Sequence, residues 1–399
     1  MCCPGGAQTD VTSIGILCIW AACLLLGYVY FGFPALIAVV GWILNRRVQR
    51  ANIAPPMTLV IAAYNEEHCI AERLDNALAS DYPAHMLEII VASDGSTDAT
   101  DSIVARYAGR GVRLLRLPRR GKIFALNDAV YYARGHVIVF SDANTMMEAG
   151  ALRALARNFA DDSVAGVVGC TGYRLESGSE SSSRGENLYW RYDTWLKELE
   201  SRTGSVVSAH GGLYAIRKGF YQEPEETAVT DDFIISTSVV ALGSRLVFER
   251  EARAWEFAVP TSTREFRRRI RLMTRGLRGV AARRQLLNPF RYGFYSVVLF
   301  THKVLRRLTP VALLLLFVGS LLASPAHPAY AALAAAQTLF YAAAVAGYFS
   351  RATTIGQLKL LYVPFFYCMA NLAALVALLN FARGERIVSW QPQRHATLT

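Results

Sequence analysis

An uncharged segment near the N-terminus limits most strongly what this chain can fold into. No charged residue occurs from Ser13 to Leu44, and the run ILCIWAACLLLGYVYFGFPALIAVVGWIL is long enough to span a lipid bilayer. A cleaved signal peptide fits less well, because no lysine or arginine precedes the run and the run is too long. Arg46, Arg47 and Arg50 follow it, so the positive-inside rule predicts that the next domain is cytosolic.

Three further apolar segments lie in the C-terminal third of the 399-residue chain. Ala329–Tyr348 and Leu360–Phe381 are long enough to cross a membrane, whereas Pro310–Ala323 is long enough only with the residues around Arg306 and Arg307. We therefore predict four spans, which agrees with a composition that is 53% hydrophobic. Four spans place both termini outside, but arginines in the C-terminal tail favour an inside C-terminus, so the topology stays open.

The formal net charge of +11 raises the alternative of a nucleic-acid partner. Nine arginines lie between Arg264 and Arg284, and apolar residues recur among them at helical spacing: Phe266, Ile270, Met273, Leu277 and Val280. An arginine-rich helix with one apolar face is typical of an interfacial helix on an anionic leaflet. Only a membrane accounts for the apolar face as well as the arginines, so we predict a lipid bilayer and no nucleic acid as the partner.

Between Pro55 and about Pro260, apolar runs of strand length alternate with helical patterns. The predicted strands are Thr58–Ala63, Leu87–Ser93, VRLLRL and HVIVF, and the predicted helices are Glu66–Ser80, Thr97–Ala108 and GKIFALNDAVYYARG. This alternation predicts an α/β domain with a mostly parallel sheet and helices on both faces. Ligands of such sheets bind beyond the carboxyl ends of the strands.

Polar residues follow three of these strands directly. They are Tyr64, Asn65 and Glu66 after the first, Asp94, Gly95 and Ser96 after the second, and Asp142 and Asn144 after HVIVF. Each of Asp94, Ser96 and Asn144 is alternatively explained as the cap of a following helix. Three such clusters at successive strand ends nevertheless favour one shared binding site.

The phosphate-binding loops of common nucleotide sites are missing from the sequence, since neither GxxxxGK nor GxGxxG occurs after a strand. A nucleotide would therefore be held through basic side chains and a carboxylate-bound cation. The oxygens of Asp142 and Asn144, together with phosphate oxygens, suit Mg²⁺ or Mn²⁺. Seven cysteines without CxxC spacing indicate neither a zinc site nor a disulfide framework.

Six motifs in order then give a resemblance. AAYNEE, SDGSTD, GKIFALN, FSDANT, AHGGLYAIRKG and VTDDF, over roughly Pro55–Pro289, resemble the family-2 glycosyltransferases of the cellulose synthase and hyaluronan synthase superfamily. The resemblance implies a GT-A-type (nucleotide-diphospho-sugar transferase) domain. With the composition, it divides the chain into an N-terminal anchor (1–50), a cytosolic GT-A domain (51–260), interfacial helices (261–308) and C-terminal membrane helices with a tail (309–399).

The resemblance also assigns roles on the donor side. It implies that Tyr64 and Glu66 lie near the nucleoside, that Asp94 bonds the base, and that Lys122 lies beside the base or the diphosphate. Asp142 matches the first carboxylate of the family's DxD element, near the ribose and the metal. Asn144 stands where the second carboxylate usually is, and an uncharged amide should hold a cation more weakly.

On the acceptor side, VTDDF resembles the family's TED element, whose last residue is the general base. That role falls to Asp232, and the neighbouring Asp231 would raise its pKa by like-charge proximity. The alternative is a pair of acids at a helix N-terminus, which the helix dipole favours. The stretch with His210, Gly211 and Gly212 corresponds to the acceptor side, where small residues let the backbone approach a ligand.

The family's QxxRW element has its counterpart in RRIRL, Arg268–Leu272. Arg271 keeps the cation for the diphosphate, whereas Arg268 replaces Gln and Leu272 replaces Trp. The aromatic surface for a growing glycan is therefore not at its usual place, and processive synthesis stays open.

The sequence as a whole predicts a multi-pass protein of the cell (inner) membrane that acts as an inverting glycosyltransferase. We expect a UDP-sugar donor and a growing polysaccharide or lipid-linked glycan as acceptor, with or without secretion of a polymer. Two alternatives stay open: transfer of a single sugar to a polyprenyl-phosphate or other lipid acceptor, and a non-catalytic membrane protein that binds nucleotide-sugars.

Overall fold

The computed structural model describes residues 5–174, 180–224, 228–257, 262–351 and 353–387. They form two compact units. The sheet unit contains the described residues of Ile37–Pro260 and Arg278–Leu299, and the membrane unit contains those of Met1–Leu36, Thr261–Leu277 and Phe300–Glu385.

Eight strands of the described residues form one sheet. They are β1 (Met57–Ala63), β2 (Leu87–Asp94), β3 (Val112–Leu117), β4 (Val137–Asp142), β5 (Thr145–Met147), β6 (Val164–Arg174), β7 (Tyr214–Arg217) and β8 (Arg245–Phe257). Their order across the sheet is β3-β2-β1-β4-β7-β6-β8-β5. The strands β3, β2, β1 and β4 are mutually parallel, whereas β7 is antiparallel to both of its neighbours and β5 is antiparallel to β8. The sheet is thus mixed, and its antiparallel part was not predicted from the sequence.

Fourteen α-helices accompany the strands in the described residues. They are α1 (Gly5–Gly27), α2 (Phe33–Leu44), α3 (Ile70–Leu78), α4 (Thr100–Ala105), α5 (Lys122–Tyr132), α6 (Ala151–Ala156), α7 (Glu180–Thr203), α8 (Asp231–Ala241), α9 (Ser262–Ala282), α10 (Pro289–Tyr292), α11 (Phe294–Lys303), α12 (Thr309–Ala323), α13 (Pro328–Ser350) and α14 (Lys359–Ala382). The helices α3 and α4 begin later than predicted, because the residues after β1 and β2 form turns that carry polar side chains, whereas α5 mainly ends earlier, at Tyr132 and not at Gly135.

The core of the sheet unit is built on the parallel strands. All seven residues of β1 are buried, as expected of a strand covered on both faces. Leu59 and Ile61 pack in one cluster with Ile70 and Leu74 of α3 and with Leu152 of α6. This packing fixes the carboxyl ends of the strands, where the predicted site residues lie.

In the membrane unit, α1 and α12 approach each other closely at two glycines. A Cβ atom on Gly15 would lie 2.8 Å from the carbonyl oxygen of Gly319, so neither position has room for a side chain. Among the described residues, four helical segments are long and apolar enough to cross a membrane: Asp10–Leu44, Phe294–Ala323, Pro328–Ser350 and Lys359–Ala382. The second segment includes Arg306 and Arg307, the residues without which the apolar run Pro310–Ala323 is too short to span a membrane.

Candidate active site

The carboxyl ends of the parallel strands bring the predicted clusters together. Ala62 of β1 lies beside Asp142 of β4, and Ala63 of β1 lies beside Ser93 of β2. Asn65, in the left-handed conformation (φ 54°), ties the two turns because its Oδ1 accepts from the N–H of Thr97 at 2.8 Å. Tyr64 and Glu66 flank it, so the first two clusters form one continuous polar surface.

Asp94 ends β2 and is only 1% exposed. Its Oδ1 accepts from the backbone N–H groups of Arg120 (2.8 Å) and Gly121 (3.0 Å), and its Oδ2 accepts from Gly121 (2.9 Å). The guanidinium of Arg119 also pairs with Oδ2. The helix-cap alternative for Asp94 is therefore wrong: its carboxylate holds the loop between β3 and α5.

Asn144 is not a helix cap either, because the residue after it begins strand β5. The half-buried Asn144 follows Asp142 by two positions, so one carboxylate and one amide oxygen occur at this turn. Within the described ranges, no three His, Cys, Asp or Glu side chains form a cluster suited to a metal. The two oxygen donors still fit a hard cation whose remaining ligands come from a diphosphate.

Lys122, the first residue of α5, joins two acids from different elements. Its Nζ lies 2.7 Å from Oδ1 of Asp142 and 2.8 Å from Oδ2 of Asp231. Burial alone would lower the pKa of Lys122, but the two carboxylates outweigh burial and raise it. The ammonium is therefore a fixed positive charge between the end of β4 and the start of α8.

Glu66 contributes a carboxyl group whose pKa is raised above its ordinary value. Burial raises the pKa of Glu66 to about 7, a bond from the Cys69 thiol lowers it in part, and the Asp142 carboxylate raises it further. The thiol Sγ lies 3.4 Å from Oε2 of Glu66. At neutral pH a substantial fraction of this carboxyl is therefore protonated.

A fully buried arginine, Arg73 of α3, lies behind the turn with Asp142. Its Nη1 donates to Oδ1 of Asn76 at 3.2 Å, and Asn76 holds both the N–H (2.8 Å) and the C=O (2.9 Å) of Met147 in β5. Burial lowers the pKa of Arg73 to about 10, against the opposing effects of Asp142 and Cys69. Sequence analysis missed Arg73 and Asn76. Together they anchor β5, the strand that follows Asn144, to helix α3.

Asp231 and Asp232 occupy the first turn of α8, where the helix dipole favours negative charge. Oδ1 of Asp232 accepts from the N–H of Phe233 at 2.7 Å. Asp231 is paired with Lys122, and the effect of its charge on Asp232 stays a prediction.

A buried tyrosine, Tyr214 of β7, was also missed. Its ring stacks on Phe140 with the centroids 4.9 Å apart, and it is 1% exposed. Within the described part of the chain its hydroxyl has no hydrogen-bond partner. Burial and then Asp231 and Asp232 raise the pKa of Tyr214 well above its ordinary value, so the hydroxyl stays protonated.

The two glycines of AHGG, Gly211 and Gly212, lie next to two different acids, Asp142 and Glu256. A Cβ atom on Gly211 would lie 3.1 Å from Oδ2 of Asp142, and one on Gly212 would lie 3.1 Å from Oε1 of Glu256 and 2.5 Å from Cγ2 of Thr171. The missing side chains thus let the backbone pass between β4 and β8. His210 beside them is exposed.

Arg268 and Arg271 lie on α9 within the membrane unit. Arg268 pairs with Glu265 at 3.2 Å. Arg271 is half-buried, and burial, followed by the charges of Arg275 and Arg268, lowers its pKa. Leu272, at the position of the family's Trp, is 42% exposed.

Comparisons with known proteins identify the family and the fold. Residues 55–279 match the family described as "Glycosyltransferase like family 2". The poly-β-1,6-N-acetyl-D-glucosamine synthase of Staphylococcus aureus (strain COL) is 24% identical over 255 residues, which are 62% of this chain and 60% of that protein. The hyaluronan synthase of Pasteurella multocida is 26% identical over 196 residues, 47% of this chain and 19% of that protein. The chain thus matches about 60% of the length of the staphylococcal relative.

Among solved structures, a mannosyltransferase from Pyrobaculum calidifontis in complex with GDP-Man and Mn²⁺ is similar to this chain. It has a TM-score of 0.68 and 22% sequence identity, and the match covers 93% of this chain and 99% of that one. At this identity the likeness concerns the fold. The GT-A-type fold and the family resemblance that the motifs predicted are both confirmed by these matches.

Proposed function

Because the chain belongs to the glycosyltransferase-like family 2, we propose that it is a membrane-embedded inverting glycosyltransferase. It would move a sugar from a nucleotide-sugar, in our proposal a UDP-sugar, to a growing polysaccharide or a lipid-linked glycan. The observation that carries this proposal is the Lys122 ammonium between Asp142 and Asp231, with Asp232 next in the chain.

In this proposal Asp232 is the general base. It removes the proton from an acceptor hydroxyl as the oxygen attacks the anomeric carbon, and the nucleoside diphosphate leaves from the opposite side. One displacement of this kind inverts the anomeric configuration. Lys122 would offset the negative charge that develops on the leaving diphosphate, and Arg271 is proposed to do the same.

For the donor, Tyr64, Glu66 and Asp94 are proposed to hold the nucleoside. Asp142 and Asn144 would hold Mg²⁺ or Mn²⁺, and the ion, when bound, neutralises the diphosphate. The mannosyltransferase solved with GDP-Man and Mn²⁺ supports a cation and a nucleotide-sugar as ligands. His210, Gly211, Gly212, Asp231 and Arg268 are proposed for the acceptor side.

Two of the similar proteins are named as polymer synthases, which supports a polysaccharide product. Leu272 favours a second candidate, because an exposed aliphatic side chain offers no aromatic ring for a sugar to stack on. In that candidate the enzyme transfers one sugar to a polyprenyl-phosphate or another lipid acceptor.

The proposed location is the cell (inner) membrane. The four apolar helices support a multi-pass protein, and Arg46, Arg47 and Arg50 after the first of them support a catalytic domain on the cytosolic side. The proposed division of the chain is an anchor (1–50), a GT-A domain (51–260), interfacial helices (261–308) and membrane helices with a tail (309–399).

The test is release of nucleoside diphosphate by the full chain in lipid nanodiscs. UDP-sugars and GDP-mannose are offered in turn with Mg²⁺ or Mn²⁺, with crude lipid extract as the acceptor source, beside Asp232→Asn. We expect cation-dependent turnover of one donor that the variant abolishes, and the size of the product separates polymer from single transfer. Binding of donors without turnover above the variant's background would instead support a non-catalytic binding protein.

A further inference from the structure

One side chain covers two of the three residues proposed to hold the nucleoside. The Cζ atom of Arg119 lies 3.5 Å from the ring centroid of Tyr64, directly over its face. The same guanidinium forms an ion pair with Oδ2 of Asp94. Arg119 therefore fills the space in which a base would stack on Tyr64 and bond to Asp94.

The geometry leaves no room for a base and Arg119 on the same face of the ring. A base stacked on Tyr64 needs about 3.5 Å between carbon atoms on that side, which is the space that the guanidinium already occupies. Asp94 is equally committed, because two backbone N–H groups and Arg119 share its two oxygens. A base can stack on this face of Tyr64 and bond to Asp94 only if Arg119 leaves.

We propose that Arg119 gates the nucleobase site. In the nucleotide-free chain it covers Tyr64 and Asp94, and a nucleotide binds by displacing it. This inference rests on the proposed function, since it assumes that the ligand is a nucleoside diphosphate. It adds a residue that the sequence motifs did not distinguish from its neighbour Arg120.

The loop is built so that the side chain can move while the backbone stays. The N–H groups of Arg120 and Gly121 hold the Asp94 carboxylate independently of Arg119. Gly95 (φ 68°) lets the loop come close, since a Cβ atom there would lie 2.8 Å from the backbone N of Arg119. Displacement of the gate therefore requires rotation of one side chain that is 37% exposed.

The exchange also restricts which base fits. When Arg119 leaves, Oδ2 of Asp94 loses a donor, and an N–H on the pairing edge of the base can replace it. Uracil and guanine carry a ring N–H at the centre of that edge, whereas cytosine and adenine have an acceptor nitrogen there, which would face the carboxylate, and offer only the exocyclic amine beside it. The gate therefore favours uridine or guanosine nucleotides, for which one hydrogen bond replaces another.

The experiment compares a ligand with a base and one without. Calorimetry on the full chain in nanodiscs with Mg²⁺ measures the affinity for UDP, GDP, CDP and inorganic pyrophosphate, in the wild type, Arg119→Ala and Arg120→Ala. Arg120 is the matched control, because it carries the same charge one residue away, pairs with Asp128, and keeps its N–H to Asp94 when replaced by Ala. The quantity compared is the ratio of the nucleotide affinity to the pyrophosphate affinity. Each variant loses one positive charge, which weakens the binding of both anions, so this effect cancels in the ratio.

We expect Arg119→Ala to raise this ratio about tenfold for UDP or GDP, since the base no longer competes with a cation–π contact and an ion pair. Arg120→Ala should leave the ratio unchanged. A ratio that falls in Arg119→Ala would overturn the gate, because Arg119 would then hold the base, and an unchanged ratio would overturn it as well. If neither the wild type nor Arg119→Ala binds any nucleoside diphosphate, the proposed function itself fails.

Discussion

At the end of the site proposed for the nucleobase, a single carboxylate, Asp94, receives two backbone N–H groups and one guanidinium. At the end proposed for sugar transfer the relation is reversed, since one ammonium, that of Lys122, serves both Asp142 and Asp231. Asp94 is 1% exposed, whereas the Asp142 side chain is 33% exposed. The first end is an assembled structure closed by a side chain, and the second is a more exposed group of two carboxylates and one ammonium, in which ligands can replace protein contacts.

The largest expected effect concerns the transfer end. Asp232→Asn should lower kcat about 1,000-fold, because the amide cannot take the acceptor's proton. The affinity for the nucleoside diphosphate should stay unchanged, since Asp232 is assigned to the acceptor. Initial rates and calorimetry on the same preparation measure both. Asp231→Asn is the matched variant: it removes a partner of Lys122 and should change nucleotide affinity. Equal kinetic defects in the two variants would contradict the assignment of the base.

The second effect depends on pH and concerns Glu66, which lies between the two ends. Its pKa is raised to about 7 from 4.5, so the folded state keeps a proton that the unfolded state releases between these values. The stability of the wild type should therefore fall as pH rises from about 4.5 to 7, by up to about 3 kcal/mol.

Glu66→Gln should remove this pH dependence, because the amide does not titrate. Unfolding of both forms at pH 5 and pH 8 measures the difference, and the variant should gain on the wild type at the higher pH. Glu72→Gln, on the exposed side of α3, is the control. A constant difference between Glu66→Gln and the wild type at both values would refute the shift.

Whether a contact at either end could be predicted from the sequence depends on how far apart its residues are in the chain. The strand-end clusters were predictable, because parallel strands bring their carboxyl ends to one edge. The bridge from Lys122 to Asp231 joins residues that are far apart in the chain, and only the family resemblance placed them in one site. In LPRRGK nothing distinguishes Arg119 from Arg120. The antiparallel pairs of β7 with β4 and β6 were missed because the long helix α7 separates β6 from β7 in the chain, and local patterns do not record pairing over such distances.

The third prediction removes the shared cation. Lys122→Met leaves Asp142 and Asp231 as neighbouring like charges, which should lower the free energy of unfolding by about 2 kcal/mol. Added Mn²⁺ should restore more stability to the variant than to the wild type, because a divalent ion can replace the ammonium between the acids. Lys197→Met is the control, since Lys197 is similarly buried but pairs with one acid, Asp193. Thermal unfolding with and without Mn²⁺ measures the effect, and equal stabilisation of both proteins would show that the acids do not share the cation.

The fourth prediction tests how tightly the nucleobase end is assembled. Gly95→Ala should cost about 2 kcal/mol, because its positive φ is strained for Ala and the Cβ atom meets the backbone of Arg119 at 2.8 Å. Gly111→Ala, in the left-handed region (φ 86°, ψ 9°) and with open space around the added Cβ atom, should cost about 1 kcal/mol from strain alone. Chemical unfolding of both variants gives the two values. If Gly111→Ala were the more costly, the close approach of the loop to Gly95 would not be what holds this end together.

The smallest effect is a gain of function at the transfer end. Asn144→Asp supplies the second carboxylate of the family's DxD element and should bind Mn²⁺ about tenfold more tightly, because a charged oxygen replaces a neutral one. Calorimetry with Mn²⁺ and UDP measures the change, and Asn144→Ala should shift the affinity in the opposite direction. The nucleobase end should not respond, so the ratio of UDP to pyrophosphate affinity should stay constant in both variants. If Asn144→Asp leaves the affinity for Mn²⁺ as it was, the turn after β4 does not hold the cation, and Lys122 is left to offset the charge of the two acids.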